Sequence, residues 1–131
     1  MLRGNPFVAR AAIAQRDFYG DLNLYVFGVR RGCGVVSVSD APYLWISVDT
    51  GGKALPIGRS IRSTTGMRVV ANVVRASRQF LIREGVSITF THLDPRLGSV
   101  WHGSVRIASG SSGDALTVFS GSFAARWCGE M

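Results

Sequence analysis

The chain has 131 residues, of which 47% are hydrophobic, 18% are charged and 16 are glycine. This composition indicates one folded, β-rich domain and argues against a disordered chain. The net charge of +7 comes almost entirely from arginine, because Lys53 is the one lysine. A basic surface favours anionic partners such as nucleic acid, acidic polysaccharide or lipid headgroups, although a biased genomic base composition would produce the same arginine excess.

The first residues do not have the pattern of a secretory signal. After Arg10 the apolar run is only about four residues long before Gln15 and Arg16 interrupt it. No stretch approaches the roughly 20 apolar residues that a membrane helix needs. We therefore expect no membrane span, while a leader removed from the natural protein would leave the same appearance.

Alternation and turn residues predict four strands in the first fifty residues. The strand that contains Leu22 carries bulky side chains on both faces, so we expect it to lie centrally in a sheet. The glycines around Cys33 match neither a dinucleotide fingerprint nor a phosphate-binding loop. We expect no cofactor. The predicted strands are Pro6–Gln15, Asp21–Val29, Val35–Val38 and Tyr43–Val48.

The segment Asp49–Gly66 is rich in glycine, serine and threonine. It predicts a long connection with one short strand near Arg59–Arg62. Long loops on rigid β scaffolds often carry binding sites, so this segment is the first place to look for one. A simple crossover between sheets is an equally good interpretation.

The segment Met67–Glu84 fits two structures. Its apolar residues fall on one side of a helical wheel and its arginines on the other, which favours an amphipathic helix. Its valines instead favour a strand, MRVVANVVR, followed by a turn. If the arginines form one surface, they would make an anion-binding site composed of Arg59, Arg62, Arg68, Arg75, Arg78 and Arg83.

The C-terminal third predicts three antiparallel strands, VSITFTHL, SVWHGSVRIA and ALTVFSGSFAARWC. A turn over Pro95–Gly98 sets the register of the first pair and produces one apolar and one polar face. In this register Val86, Ile88, Phe90 and His92 lie opposite Ile107, Val105, Gly103 and Trp101. The inward residues of the second strand also face the third strand: Trp101, Gly103, Val105 and Ile107 lie beside Phe123, Gly121, Phe119 and Thr117.

Catalytic chemistry has little support in the sequence. The predicted register places His92 and His102 on opposite faces of the sheet, which argues against a shared metal ion. The eight acidic residues are scattered, and no serine lies in a nucleophile elbow. We expect neither enzymatic activity nor a metal site.

The two cysteines, Cys33 and Cys128, allow either a disulfide or two free thiols. A disulfide would close a loop of about 95 residues and stabilise the fold by about 4 to 5 kcal/mol in the chain-entropy model. It would also indicate an oxidising compartment, whereas free thiols would indicate the cytoplasm. Because Cys128 has the parity of the outward face, a bridge is expected to need a bend or bulge near Ala124–Trp127.

Three phrases carry a resemblance to a known class of protein: LNLYVFGVRRGC, GVSITFTHLDPRLGSVWHGSVRI and the closing SGSFAARWC. Together they resemble small uncharacterised bacterial secreted or lipoprotein-like β-sandwich domains, in which a Gly-x-Phe-x-Ala strand ends in a cysteine. The resemblance covers about half of the chain. It implies a cell-envelope location and a bridge between Cys33 and Cys128, and it implies no activity.

These observations predict a mainly antiparallel β-sandwich or flattened barrel in which the C-terminal strands pack against the first fifty residues. The leading functional hypothesis is a non-catalytic periplasmic or extracellular domain that binds another protein through loops and a sheet edge. The first alternative is a basic binder of nucleic acid or another anionic polymer through the arginine row. The second is a structural subunit that self-assembles through sheet edges; the sequence leaves the oligomeric state open.

Overall fold

A computed structural model of the chain describes residues 11–17, 20–28, 32–34, 36, 42–52, 54–63, 67–75, 78–83, 85–94, 96–108 and 118–130. Within these residues the protein is all β and contains no helix. The strands are β1 Ala11–Arg16, β2 Leu22–Phe27, β3 Tyr43–Asp49, β4 Ser60–Arg62, β5 Arg68–Arg75, β6 Arg78–Ile82, β7 Val86–His92, β8 Val100–Ala108 and β9 Val118–Glu130.

The nine strands form one sheet in the order β4-β7-β8-β9-β1-β2-β3-β5-β6. All neighbours are antiparallel except β1 and β9, which pair in parallel. β5, near one end of the sheet, contacts β4 and β7 at the other end. The sheet therefore curls into a half-barrel, as strand twist favours. The prediction of a mainly antiparallel β protein is confirmed, whereas the two separate layers of a sandwich are not observed.

The predicted helix over Met67–Glu84 is wrong. The segment forms β5 and β6, an antiparallel pair whose register runs from Ala71 opposite Ile82 to Arg75 opposite Arg78. Inward-facing residues of β5 are buried, and so is Val74 on the outward face. Valine packs well on a pleated surface and loses side-chain freedom in a helix, so burial on both faces outweighs the helical spacing. The strand alternative is confirmed.

The sheet buries residues on both of its faces. The inner face of the half-barrel holds one large apolar cluster that joins both ends of the sheet, with Ile61 and Ile88 from one end and Val69 and Ile82 from the other. The outer face carries a smaller cluster: Ile13, Tyr25, Phe27, Tyr43 and Val74. β2 contributes to both clusters and all of its residues are buried. The prediction that this strand is central is therefore confirmed.

Most strands predicted in the first half are present with shorter or shifted bounds. The described part of the first is β1, Ala11–Arg16, and the short strand near Arg59–Arg62 is β4. Residues 1–10 lie outside the described residues. So does the strand expected over Val35–Val38, apart from Val36.

The register predicted for the three C-terminal strands, β7, β8 and β9, is confirmed in part. Between β7 and β8, Val86 pairs with Ile107 and Phe90 with Gly103, as expected. Between β8 and β9 the prediction is wrong by two residues, because Gly103 pairs with Phe123 rather than with Gly121. A slip of two residues keeps every side chain on its predicted face, so the apolar pattern alone does not detect it.

Cys33 and Cys128 lie at disulfide distance, with their Cα atoms 5.6 Å apart. β9 stays in register with β8 up to Arg126, but its register against β1 shifts after Trp127, since Ala14 pairs with Trp127 and Arg16 with Glu130. An irregularity therefore lies next to the Ala124–Trp127 segment where a bend or bulge was expected. Cys128 points outward, as its parity predicts, and packs with the outer apolar cluster. A bridge between the two cysteines would therefore lie on the outer face of the sheet.

Candidate anion-binding face

A row of hydroxyl side chains crosses the outer face of the four strands β4, β7, β8 and β9. Ser60 pairs with Thr89, Thr89 with Ser104, and Ser104 with Ser122. Side chains that are paired in register share one face of a sheet. We call these residues the hydroxyl row. They line an open depression of about 550 Å³.

Beside the hydroxyl row lies a row that carries positive charge. Arg62 pairs with Ser87, and Ser87 pairs with Arg106. Since neighbouring strands are about 4.8 Å apart, the Cα atoms of the two arginines are separated by about 10 Å. Arg83, from the connection between β6 and β7, joins them in lining an adjoining depression of about 440 Å³. We call the surface formed by Arg62, Arg83, Arg106, Ser63 and Ser87 the arginine groove.

The curl of the sheet brings the arginines of the groove together from distant parts of the sequence. β4 ends at Arg62, and the next residue, Ser63, is hydrogen-bonded to Val69 at the start of β5. β6 runs antiparallel to β5, so the end of β6, which Arg83 follows, lies near the start of β5. The groove therefore lies at the seam where the two ends of the sheet approach each other.

Among the described residues, no acidic side chain lines the arginine groove. No Asp or Glu occurs in β4, in β7, in β8 or in β9 before Glu130. Within the described residues, the Arg62, Arg83 and Arg106 guanidinium groups have no hydrogen-bond or ion-pair partner. Guanidinium groups are strong donors to sulfate, phosphate and carboxylate groups.

Arg96 shows the contrasting arrangement in the turn between β7 and β8. Its guanidinium group donates to both carboxylate oxygens of Asp94, at 2.7 and 3.1 Å. These hydrogen bonds lower the pKa of Asp94 to about 2. The charge of Arg96 is thus balanced within the protein, and this residue is not part of the groove.

A third depression, of about 580 Å³, continues from the arginine groove toward β6. It shares Ser63 and Arg83 with the groove and adds apolar side chains and Arg68. Arg68 lies opposite Asp49 and attracts the Asp21 carboxylate. Its charge is therefore partly balanced by neighbouring acids. The apolar residues that line this depression are Met67, Val70 and Leu81.

The structure brings together half of the six arginines that the sequence grouped. Arg62, Arg68 and Arg83 line the connected depressions, although on strand ends and not on a helix. Arg75 and Arg78 pair at the opposite end of the hairpin, about 20 to 25 Å along the strand from Arg68. The remaining residue, Arg59, is exposed just before β4.

Sequence reasoning missed Arg106. Its position on the polar face of the meander was visible from the strand alternation, because it lies opposite Ser87 in the predicted register. No sequence pattern indicates that β4 pairs with β7, and without this pairing Arg62 and Arg106 have no reason to be grouped.

The two histidines also differ from the prediction. Between Phe90 and His92 the register of β7 shifts, so His92 pairs with His102 and not with Trp101. Both side chains are exposed, and their ring centroids are 6.1 Å apart. The prediction that they lie on opposite faces is wrong, because a bulge turns the last residue of β7 to the outer face.

Comparison of the chain with protein-family models, with curated proteins and with solved structures found no match. The described residues include no helix long and apolar enough to cross a lipid bilayer. In the same part of the chain, no three or more His, Cys, Asp or Glu side chains come together in an arrangement that would hold a metal ion.

Proposed function

We propose that this protein binds an extended acidic polysaccharide along the outer face of β4, β7, β8 and β9. The observation that carries the proposal is the arginine groove, in which Arg62, Arg83 and Arg106 lie together without acidic partners among the described residues. A charged surface of one sign attracts a ligand of the other sign and gains affinity through the release of counterions.

The arrangement of polar groups supports a polymer rather than a small ion. The hydroxyl row crosses four strands, or about 15 Å, and the arginine groove runs beside it. A linear ligand along this surface would place acidic groups against the arginines and hydroxyl groups against the serines. Arg62 and Arg106 flank Ser87, so one sulfate or carboxylate group above Ser87 would accept hydrogen bonds from both sides.

Two observations favour a polysaccharide over nucleic acid. Proteins that bind single-stranded nucleic acid stack the bases on aromatic side chains, and the outward-facing residues of the hydroxyl row and the groove are serine, threonine and arginine. The cysteine pair also fits an oxidising compartment. A periplasmic or extracellular location, which we propose on this basis, would expose the protein to acidic polysaccharides.

Binding of a sulfated oligosaccharide such as a heparin fragment, measured by calorimetry across a series of salt concentrations, tests the proposal. We expect saturable binding that weakens steeply as salt increases. The double variant Arg62→Gln/Arg106→Gln should lose roughly tenfold in affinity for each arginine, since a hydrogen bond to a charged group contributes about 1.5 to 3 kcal/mol.

The matched control is Arg59→Gln/Arg126→Gln, which removes the same charge from exposed arginines outside the groove. It should retain most of the affinity. Equal losses in the two double variants would show that net charge alone drives binding and would refute a specific groove. Tighter binding of a DNA duplex than of the oligosaccharide, with the same dependence on Arg62 and Arg106, would reassign the ligand to nucleic acid.

The end strand β6 favours a second candidate function, the binding of another protein. β6 forms one end of the sheet, and Leu81 on it is 49% exposed beside the depression that Met67 and Val70 line. An end strand next to apolar side chains favours pairing with a further strand. The partner that can be tested directly is a second copy of this chain.

Sedimentation velocity at increasing protein concentration tests this second function. We expect self-association that the variant Leu81→Lys abolishes and that Ile57→Lys, a change at another exposed apolar residue, does not affect. A strict monomer at high concentration would exclude self-assembly. Association at the edge should also depend less on salt than binding at the arginine groove.

A further inference from the structure

We infer that His92 and His102 form a two-ligand site for a divalent transition-metal ion of the zinc, nickel or copper class. They are the two histidines of the chain, and they come from different strands. The register shift after Phe90 places them directly opposite each other. Without that shift they would lie on opposite faces of the sheet and could not share a ligand.

The geometry of the pair suits bidentate binding. Residues directly opposite each other in an antiparallel sheet have Cβ atoms about 4.5 to 5.5 Å apart. The imidazole centroids of His92 and His102 are 6.1 Å apart, and the ring planes are inclined by 52°. With metal–nitrogen distances of about 2.0 to 2.1 Å, side-chain rotations that close the centroid separation by roughly 1 Å bring one nitrogen of each ring onto a common ion.

The space around the pair is open. Both side chains are exposed, and His102 is paired on its other side with Ala124, which is also exposed. A methyl side chain leaves room above the imidazole rings for the ion and its water ligands. Among the described residues, neither imidazole has a hydrogen-bond partner that an incoming ion would have to displace.

The chemistry of the donors selects the class of metal. Neutral imidazole is the preferred side-chain ligand for zinc, copper and nickel, whereas calcium and magnesium take oxygen ligands. Asp94 lies nearby, but both of its carboxylate oxygens accept hydrogen bonds from Arg96. The protein therefore supplies two nitrogen ligands, and water or an anion completes the coordination.

The histidine pair lies on the same face of β8 as the arginine groove. His102, Ser104 and Arg106 alternate along β8 on one face, so a bound ion would add positive charge to the same surface. The metal site and the polysaccharide site rest on different residues. Each can be tested, and each can fail, independently of the other.

Isothermal titration calorimetry of the oxidised 131-residue protein with zinc chloride and, separately, nickel chloride tests the inference. We expect saturable binding of one ion per chain. His92→Gln and His102→Gln should each weaken it by more than about tenfold, which is the loss seen when even an outer-shell partner of a metal ligand is removed. In NMR spectra, the imidazole signals of both histidines should shift at the same metal concentration.

Val100→Thr is the control, since Val100 lies on β8 two residues before His102, is 43% exposed, and its replacement leaves both imidazoles in place. The affinity of this variant for zinc and for nickel should equal that of the wild type. The inference is overturned if neither ion binds saturably, if one of the histidine variants keeps full affinity, or if the stoichiometry is one ion per two chains. Far-UV circular dichroism identifies any variant that has failed to fold, and replacement by Asn at the same position then supplies the test.

Discussion

Ser63 and Val69 are joined by two hydrogen bonds through a single hydroxyl group. Ser63 Oγ donates to the carbonyl oxygen of Val69 and accepts from its backbone N–H, each at 3.0 Å. The hydroxyl group therefore makes the hydrogen bonds to Val69 that a backbone partner would otherwise make, at the point where β4 ends and β5 begins. This contact connects the two ends of the curled sheet and holds the seam on which the arginine groove lies.

Replacing Ser63 with alanine should lower the free energy of unfolding by about 1 to 3 kcal/mol. The cost follows from leaving the N–H and carbonyl groups of Val69, which is fully buried, without partners. Urea denaturation measures the change. Ser60→Ala, at an exposed serine of β4, should alter stability by less than about 0.5 kcal/mol. Equal effects of the two substitutions would contradict this role of Ser63.

Replacing Gly103 with alanine should destabilise the protein by at least about 1 to 3 kcal/mol, the usual cost of overpacking. A Cβ atom at this position would lie 2.7 Å from Cζ of Phe123 and would also collide with the carbonyl oxygen of Thr89. Gly32→Ala is the matched control, because a Cβ atom there would meet no atom within 4 Å. Thermal unfolding of the two variants measures the difference, and a stable Gly103→Ala protein would disprove the close packing.

Gly103 also shows how far the sequence determines the meander. Alternation identified the strands and their faces, and the turn before Ser99 set the pairing of β7 with β8. Strand alternation did not determine whether Gly103 faces Gly121 or Phe123, because both pairings put the same residues inward. The choice depends on ring packing, since Phe90 and Phe123 meet edge to face with centroids 5.8 Å apart.

The grouping of the arginines in the groove could not be predicted from the sequence, for a different reason. These arginines are exposed, so no burial pattern indicates that they are neighbours. Arg62 and Arg106 line the same groove only because β4 pairs with β7, and β4 has three residues. Such a short strand has too few alternating positions to be matched to a partner from sequence alone.

Removing the disulfide with the double variant Cys33→Ser/Cys128→Ser should cost about 4 to 5 kcal/mol, because the bridge closes a loop across 95 residues and restricts the unfolded chain. Denaturation of the oxidised wild type and of the variant measures this cost. Intact-mass measurement after alkylation, with and without a reductant, is the control. Alkylation of both cysteines without a reductant, in protein prepared under oxidising conditions, would exclude the bridge and remove the support for an oxidising compartment.

Replacing Asp21 with asparagine should raise stability at neutral pH by up to about 0.5 kcal/mol. Burial, followed by the nearby charges of Asp17 and Asp49, raises the pKa of Asp21 above its ordinary value of 3.8. The ionised carboxylate is therefore disfavoured in the folded state, and this cost disappears as the pH falls below that value. Thermal unfolding from pH 7 to pH 3 should show the advantage of the variant shrinking. Asp17→Asn is the comparison, because it relieves the same repulsion but disrupts the hydrogen bond from Asn23 Nδ2. This variant should be less stable than the wild type at pH 7. A gain in stability at pH 7 as large as that of Asp21→Asn would mean that repulsion outweighs the hydrogen bond.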